Sequence, residues 1–234
     1  MQRECTQQIE LIVDASVPGV DAVIGGFSAG KLTCVMGDSP LVGVLPLRLC
    51  VQTIRLFDDP VLYVDAGMGA NPYLLAGYAR RLEMDDRKVL SQVRVCRPFT
   101  VYQLVSALCD TLEEQVRGVR PRTLVVGELL VLFADADVRE QEALVLLGEV
   151  LDSLRRVAKT HQLVVVVSAR RKLRGERGQK LVELLYATAD EVVWLRRCAA
   201  GKAVDVEAVK CDRSGVVPCD GRQLSLSRFG VEVG

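Results

Sequence analysis

Residues 37–44, Gly-Asp-Ser-Pro-Leu-Val-Gly-Val, follow a short apolar run, which is the usual setting of a phosphate-binding loop. Such a loop, G-x-x-x-x-G-K-[ST], surrounds an anion with backbone N–H groups and adds a lysine charge and a magnesium-binding hydroxyl. In register with that pattern, Gly37 is kept and Val42 stands at the second glycine. Gly43 takes the lysine position and Val44 the hydroxyl position. The side chains that bind phosphate and magnesium are therefore missing.

The same segment has the pattern of a helix start. Ser39 fits an N-cap and Pro40 the first helical position, while Asp38 favours a helix N-terminus and repels phosphate. We therefore interpret the segment as a helix start and not as a nucleotide-binding loop. The vestige of the loop consists of Gly37, Asp38, Ser39, Gly43 and Val44.

Two other apolar runs end at positions where chemistry is expected. Asp65 is the only carboxylate at the end of the run 61–65, and it fits either a loop-organising acceptor or a catalytic group. Gly127 ends the next run. Nucleoside triphosphatases with a parallel α/β sheet place a magnesium-ordering aspartate at the corresponding strand end. Glu128 follows, and the alternation of side chains along a strand points it at the opposite face unless the strand bulges.

Residues 170–180 form the largest local charge anomaly in a chain whose 30 basic and 30 acidic residues cancel. Two glycines predict a flexible loop here, and guanidinium groups suit phosphate oxygens. The alternative is a solvated loop without a ligand, because charge runs are usually exposed to water. The candidate nucleic-acid-binding residues are Arg170, Arg171, Lys172, Arg174, Arg177 and Lys180.

The remaining composition argues against other classes of site. The eight cysteines contain no C-x-x-C pair, and His161, the only histidine, has no matching nucleophile or carboxylate motif. These features predict no metal site and no catalytic triad. No apolar stretch reaches the length of a membrane span, and the polar start of the sequence is unlike a signal peptide. We therefore expect a cytoplasmic protein without membrane association.

Short apolar runs alternate with segments of helical periodicity, which predicts an α/β fold with a mostly parallel, doubly wound sheet flanked by helices. We expect a single domain over 1–234, with a parallel core at 9–188 and antiparallel C-terminal strands at 189–234. The predicted strands of the core are 32–36, 61–65, 123–126 and 163–168. The predicted helices are 41–57, 72–83, 101–117 and 138–160. The predicted closing strands are EVVWLRR, AVDVEAVK and RQLSLSRF.

The order of these segments resembles the ATPase core of the RecA/RadA recombinase family over about residues 9–233. The resemblance implies a RecA-like, P-loop-type fold. The segments that carry it are IGGFSAGKLTCVMGD (24–38), VLYVDAGMGANPYLLAGYARRLEMD (61–85), PRTLVVGELLVLF (121–133), QLVVVVSARRKL (162–173) and the closing run that starts with ADEVVWLRR (189–197).

Four functional sites of that family, with six residues among them, are altered in this sequence. They hold Gly43 and Val44 for the lysine and hydroxyl residues, Gly67 for a glutamate, Gly127 for the magnesium aspartate, and Ser168 and Ala169 for the polar residues that close the fourth strand. Because each such group contributes a few kcal/mol to the transition state, the resemblance implies a RecA-like protein that is not an enzyme and needs no cofactor.

The resemblance favours a non-catalytic paralogue that acts as an accessory or assembly protein in DNA repair or homologous recombination. Its expected partners are single-stranded DNA, contacted through 170–180, and a recombinase-like protein. One alternative is a purely structural partner of an active recombinase-like subunit, which predicts an exposed apolar patch. Another is a remodelled nucleotide-binding ATPase that uses Asp65 and Glu128 as metal ligands.

Overall fold

The computed structural model describes residues 11–170, 173, 175–198, 203–209 and 213–218. Within these residues, a small antiparallel sheet pairs β1 (Ile12–Val13) with β2 (Phe27–Ser28). The main sheet contains β3 (Leu32–Gly37), β4 (Val61–Asp65), β5 (Val93–Cys96), β6 (Thr123–Gly127), β7 (Val164–Arg170), β8 (Glu191–Arg197), β9 (Ala203–Ala208) and β10 (Arg213–Pro218).

Helices cover both faces of the main sheet. One face carries α1 (Pro18–Ile24), α2 (Leu41–Phe57), α3 (Pro72–Arg81) and α4 (Asp86–Gln92). The other carries α5 (Val101–Val105), a π-helical turn (Ser106–Asp110), α6 (Leu112–Val119), α7 (Glu140–His161) and α8 (Gly175–Thr188).

The strand order in the main sheet is β10-β9-β8-β3-β7-β6-β4-β5. The six strands from β8 to β5 are parallel, while β9 and β10 are antiparallel to their neighbours. The carboxyl ends of β3, β4, β6 and β7 therefore meet at one edge, where open α/β sheets usually bind their ligands.

The valine-rich runs form central strands because both of their faces are buried. In β7, Val164 and Val166 pack into the core shared with α2, whereas Val165 and Val167 pack into the core shared with α7. All four side chains are fully buried. Burial of one such side chain contributes about 1.5–3 kcal/mol, so these runs hold the sheet in place.

The predicted α/β architecture and mostly parallel sheet are confirmed. The predicted bounds of α2 agree with the structure, although Pro46 lies inside the helix. The helix predicted over 101–117 is interrupted by the π-helical turn and at Thr111. The sequence analysis did not assign α4 or β5, which lie between the second and third predicted strands.

One orientation was predicted wrongly. β8, the EVVWLRR segment, runs parallel to β3 and is antiparallel only to β9. The physical reason is α8, which carries the chain back across the sheet and so permits a parallel connection from β7. The last predicted strand, RQLSLSRF, lies outside the described residues, and β10 is formed instead by RSGVVP.

Among the described residues, no helix combines the length and the apolar character that a membrane span requires.

Replacement of Gly37 by alanine is expected to destabilise the sheet. Gly37 has a φ of +144°, and a Cβ at this position would lie 2.0 Å from the carbonyl oxygen of Leu195 in β8. Because that oxygen is backbone, β3 and β8 would have to separate locally. We expect Gly37→Ala to lower the free energy of unfolding by about 2–3 kcal/mol, measured by urea denaturation.

Gly148→Ala is the matched control for this prediction. Gly148 lies within α7, where a Cβ meets nothing within 4 Å. Alanine there should stabilise the protein by about 0.5–1 kcal/mol. Equal effects of the two substitutions would contradict the close approach of β8 to Gly37.

Candidate functional site

The backbone amides of the loop after β3 are already hydrogen-bonded within the protein. The Ser39 amide donates to the carbonyl of Leu195 at 3.2 Å, and the Leu41 amide donates to the Ser39 hydroxyl at 3.3 Å. The amides of Val42 and Gly43 donate to carbonyls three residues back. A phosphate loop needs such N–H groups directed at an anion, so this loop has the hydrogen bonding of a helix start. The helix begins at Leu41, and its N-cap is Pro40, one residue after the predicted N-cap Ser39.

The first two residues of the loop are bonded to β8. Gly37 pairs with Leu195 in the sheet. The Asp38 carboxylate accepts a hydrogen bond of 2.9 Å from the backbone amide of Arg197, the last residue of β8. The glycine retained from the phosphate-loop pattern is therefore explained by strand packing.

Glu128 does not continue the side-chain alternation of β6 from which its direction was predicted. β6 ends at Gly127, and Glu128 has a left-handed backbone with a φ of +54°. The Glu128 amide donates to the Ser168 hydroxyl at 3.0 Å. The Glu128 carboxylate lies 2.8 Å from Nε of Arg170 and accepts from the Arg170 amide at 3.2 Å. The end of β6 is thereby joined to the end of β7.

The Glu128–Arg170 ion pair fills the space beside two of the altered positions. A Cβ on Gly67 would lie 2.3 Å from Cβ of Glu128. A Cβ on Gly43 would lie 3.2 Å from Nη2 of Arg170 and 4.0 Å from Oε1 of Glu128. The guanidinium therefore lies beside the lysine position, and the Glu128 side chain lies beside the glutamate position.

The space beside a third altered position, Gly127, is filled by Tyr63 of β4. A Cβ on Gly127 would lie 2.6 Å from the Tyr63 hydroxyl oxygen, so the phenol ring lies where the magnesium aspartate is expected. Tyr63 is 2% exposed, and its burial raises the pKa of the phenol well above the usual range. The hydroxyl therefore stays protonated and supplies no anionic ligand.

Asp65 organises the loop that follows β4. Its fully buried carboxylate accepts from the amides of Gly69 at 2.7 Å and Ala70 at 3.1 Å. Arg97, just after β5, adds an ion pair with 2.8 Å between Nη2 and Oδ2. The loop-organising interpretation of Asp65 accounts for these contacts. Arg97 was missed because β5 was not predicted and the pair spans 32 residues.

The segment 170–180 is helical over its second half, which corrects the prediction of a flexible loop. α8 begins at Gly175, and Lys180 lies 2.8 Å from the carboxylates of Glu176 and Glu140. These hydrogen bonds raise the pKa of Lys180 well above its usual range. The Arg177 guanidinium donates to the carbonyl of Phe133.

The described basic residues of this segment thus have acceptors within the chain. Arg170 ends β7 and pairs with Glu128, while Arg177 and Lys180 contact the segment from Phe133 to Glu140. Arg171, Lys172 and Arg174 lie outside the described residues.

A search of the described ranges finds no cluster of three or more His, Cys, Asp or Glu side chains that could hold a metal ion. The carboxylates closest to the altered positions, Asp65 and Glu128, are each paired with an arginine. Comparison of the chain with protein-family models and with curated proteins finds no match.

The Glu128–Arg170 pair is expected to show energetic coupling. In a double-mutant cycle with Glu128→Ala and Arg170→Ala, each single change removes one partner, and the double change should cost less than their sum by about 1 kcal/mol. The value is modest because the Arg170 side chain is 69% exposed and water screens the pair. Urea denaturation of the four proteins measures the coupling.

Arg80 and Asp86 provide the reference cycle. They form a surface ion pair with a separation of 2.6 Å, for which a coupling of about 0.5 kcal/mol or less is expected. A coupling at Glu128–Arg170 no larger than this reference would show that the pair does not hold the two strand ends together.

Proposed function

We propose that this chain is a non-catalytic, RecA-like protein that acts as an accessory or assembly protein in DNA repair or homologous recombination, with a recombinase-like protein as its partner. The absence of catalysis is supported by the Glu128–Arg170 ion pair, which lies against Gly43 and Gly67. An ATPase of this kind would need a lysine and a glutamate there.

The charges at this edge argue against nucleotide binding. The positive charge of Arg170 is compensated by Glu128, and that of Arg97 by Asp65. Asp38 adds a further carboxylate beside the loop. A triphosphate would meet paired arginines and occupied amides, and a metal ion would have to break an ion pair to reach either Asp65 or Glu128. These contacts favour the pseudo-ATPase over the remodelled ATPase.

An exposed apolar surface supports the assembly role. Met68 and Tyr73 follow β4 and are 62% and 73% exposed, and Phe99 and Tyr102 follow β5 and are 62% and 55% exposed. Tyr73 and Tyr102 lie in the first turns of α3 and α5, and the loops that precede these helices are joined by a hydrogen bond from Arg97 to the carbonyl of Ala70. We call the four exposed side chains the aromatic rim. Exposed aromatic and methionine side chains are enriched at protein interfaces.

Protein contact is better supported than DNA contact by the described residues. Arg170, Arg177 and Lys180 each use their charge or N–H groups on an acceptor of the chain. Phosphate contact through these residues would compete with those bonds. A DNA contribution to the proposed role therefore depends mainly on Arg171, Lys172 and Arg174.

The protein is expected not to bind Mg-ATP. Isothermal titration calorimetry should show no binding tighter than about 1 mM. The variant that carries Gly43→Lys and Val44→Ser should also show none, because the new lysine would start 3.2 Å from Arg170 and the loop amides would remain bonded. Circular dichroism checks the fold of the variant, and a known ATP-binding protein is the positive control. Micromolar binding by the unaltered chain would contradict the proposal.

The aromatic rim is expected to bind the partner protein. Tyr73→Ser combined with Phe99→Ser should weaken binding to a purified RecA-like recombinase of the same organism by at least about ten-fold, or 1.4 kcal/mol. Both side chains are exposed, so stability should change by less than about 0.5 kcal/mol. Biolayer interferometry measures the affinity.

Leu56→Ser combined with Val216→Ser is the matched control. These side chains are 47% and 68% exposed but lie at the end of α2 and in β10, away from the aromatic rim. Full binding by this control with loss in the rim variant supports the assembly role. Equal binding by both double variants, or no binding by the unaltered chain, counts against it.

A further inference from the structure

A concave site lies at the opposite edge of the main sheet. It is a pocket of about 580 Å³ between the ends of α6 and α7. Arg122 directly precedes β6 and Leu163 directly precedes β7, so the pocket lies at the amino ends of the parallel strands. Its volume is within the range of small-molecule sites, which is roughly 300–1,000 Å³.

Basic side chains and one unpaired charge characterise the pocket wall. Arg122 pairs with Asp59 at 2.6 Å, and Arg117 pairs with Glu113 at 3.0 Å. The Arg120 guanidinium forms neither a hydrogen bond nor an ion pair within the described part of the chain. Three guanidinium groups therefore face two carboxylates, which leaves one positive charge uncompensated. The paired arginines also retain N–H donors, since a guanidinium has five and each contact above uses one nitrogen.

Arg120 lies at a helix end with a left-handed backbone. Arg120 is the residue after α6 and has a left-handed φ of +53°. Glycine is the usual residue at this position of a helix end, and a side chain there costs about 1–2 kcal/mol. Helix dipoles favour cations near the ends of α6 and α7, which explains positive charge in general. The same backbone conformation follows α2 at Asp58 and α7 at Gln162, so it is a repeated form of helix end in this protein.

The pocket also has a fixed polar wall and an apolar floor. His161 lies 2.7 Å from Glu113, and the hydrogen bond from His161, followed by the charges of His161 and Arg117, lowers the pKa of the Glu113 carboxyl. Glu113 therefore stays ionised and holds both neighbours in place. The floor is lined by buried apolar side chains, among them Val116 and Leu163.

We propose that this pocket binds a small organic anion, with an apolar body on the floor and a phosphate or carboxylate group at Arg120. Guanidinium groups bind both kinds of anion through paired hydrogen bonds. The inference does not depend on the proposed function, because the pocket shares no residue with the carboxyl edge of the sheet.

The test uses 1-naphthyl phosphate, with 1-naphthol and inorganic phosphate as the two partial probes. His161 is the only histidine and Trp194 the only tryptophan of the chain, so their ring proton signals can be followed by NMR without further assignment. We expect 1-naphthyl phosphate to shift the His161 signals in a saturable way and to leave the Trp194 indole signal unchanged. Each partial probe should bind at least about ten-fold more weakly.

The Arg120→Asn variant removes the uncompensated charge with a residue that tolerates left-handed backbone. It should weaken binding of 1-naphthyl phosphate by at least about ten-fold. Arg139→Asn is the matched control, since Arg139 is exposed beside the amino end of α7 and should leave the affinity unchanged. Circular dichroism checks that both variants fold.

Three outcomes would overturn the proposal. The first is no saturable shift of the His161 signals with 1-naphthyl phosphate. The second is equal binding of inorganic phosphate or of 1-naphthol, which would show an adventitious ion only or a purely apolar contact. The third is equal affinity of the Arg120→Asn variant and the unaltered protein.

Discussion

The Glu128 carboxylate is largely removed from water, and its charge is tolerated because the Arg170 guanidinium lies 2.8 Å away. Breaking such a pair by removing one partner leaves an uncompensated charge in a partly buried place. The second oxygen of Glu128 accepts from the Arg170 amide, and the Glu128 amide is bonded to Ser168. One left-handed residue thus fixes the ends of two neighbouring strands.

At the carboxyl edge, glycines lie against large side chains of other segments. Gly43 and Gly67 leave the room that Arg170 and Glu128 occupy, and Gly127 leaves room for the ring of Tyr63. In each case a side chain of another segment occupies the space beside the glycine. The resemblance to RecA-like ATPases predicts a functional group at each of these three glycines. The edge is consequently filled by the protein itself, and its glycines are explained by packing.

The predictable part of this fold is the part determined by local sequence. The bounds of α2 and the positions of the valine-rich strands follow from apolar periodicity and from continuous β-branched runs. Asn71 caps α3 with a side chain that accepts from the amides of Tyr73 and Leu74, and Pro72 follows at the start of the helix, where proline is favoured. β5 escaped prediction because it is a four-residue edge strand with three exposed side chains, which gives no buried run to detect.

The less predictable part depends on contacts between distant residues. The direction of Glu128 follows from a left-handed backbone that a contact 42 residues away supports. The parallel orientation of β8 depends on its pairing with β3, and the pairing of Arg97 with Asp65 depends on the position of β5. Residue types alone suggested carboxylates at the strand ends, but not that arginines would neutralise them.

The attachment of β8 to the loop after β3 has an evolutionary consequence. Gly37, Asp38 and Ser39 all bond or pack against β8. If the Ser39 amide turned toward a phosphate, its bond to the carbonyl of Leu195 would be lost to the sheet. A substitution in this loop therefore also acts on β8, and changes on the two strands should be energetically coupled because their residues are in contact. The strand beside the loop thus limits which sequences the loop can accept.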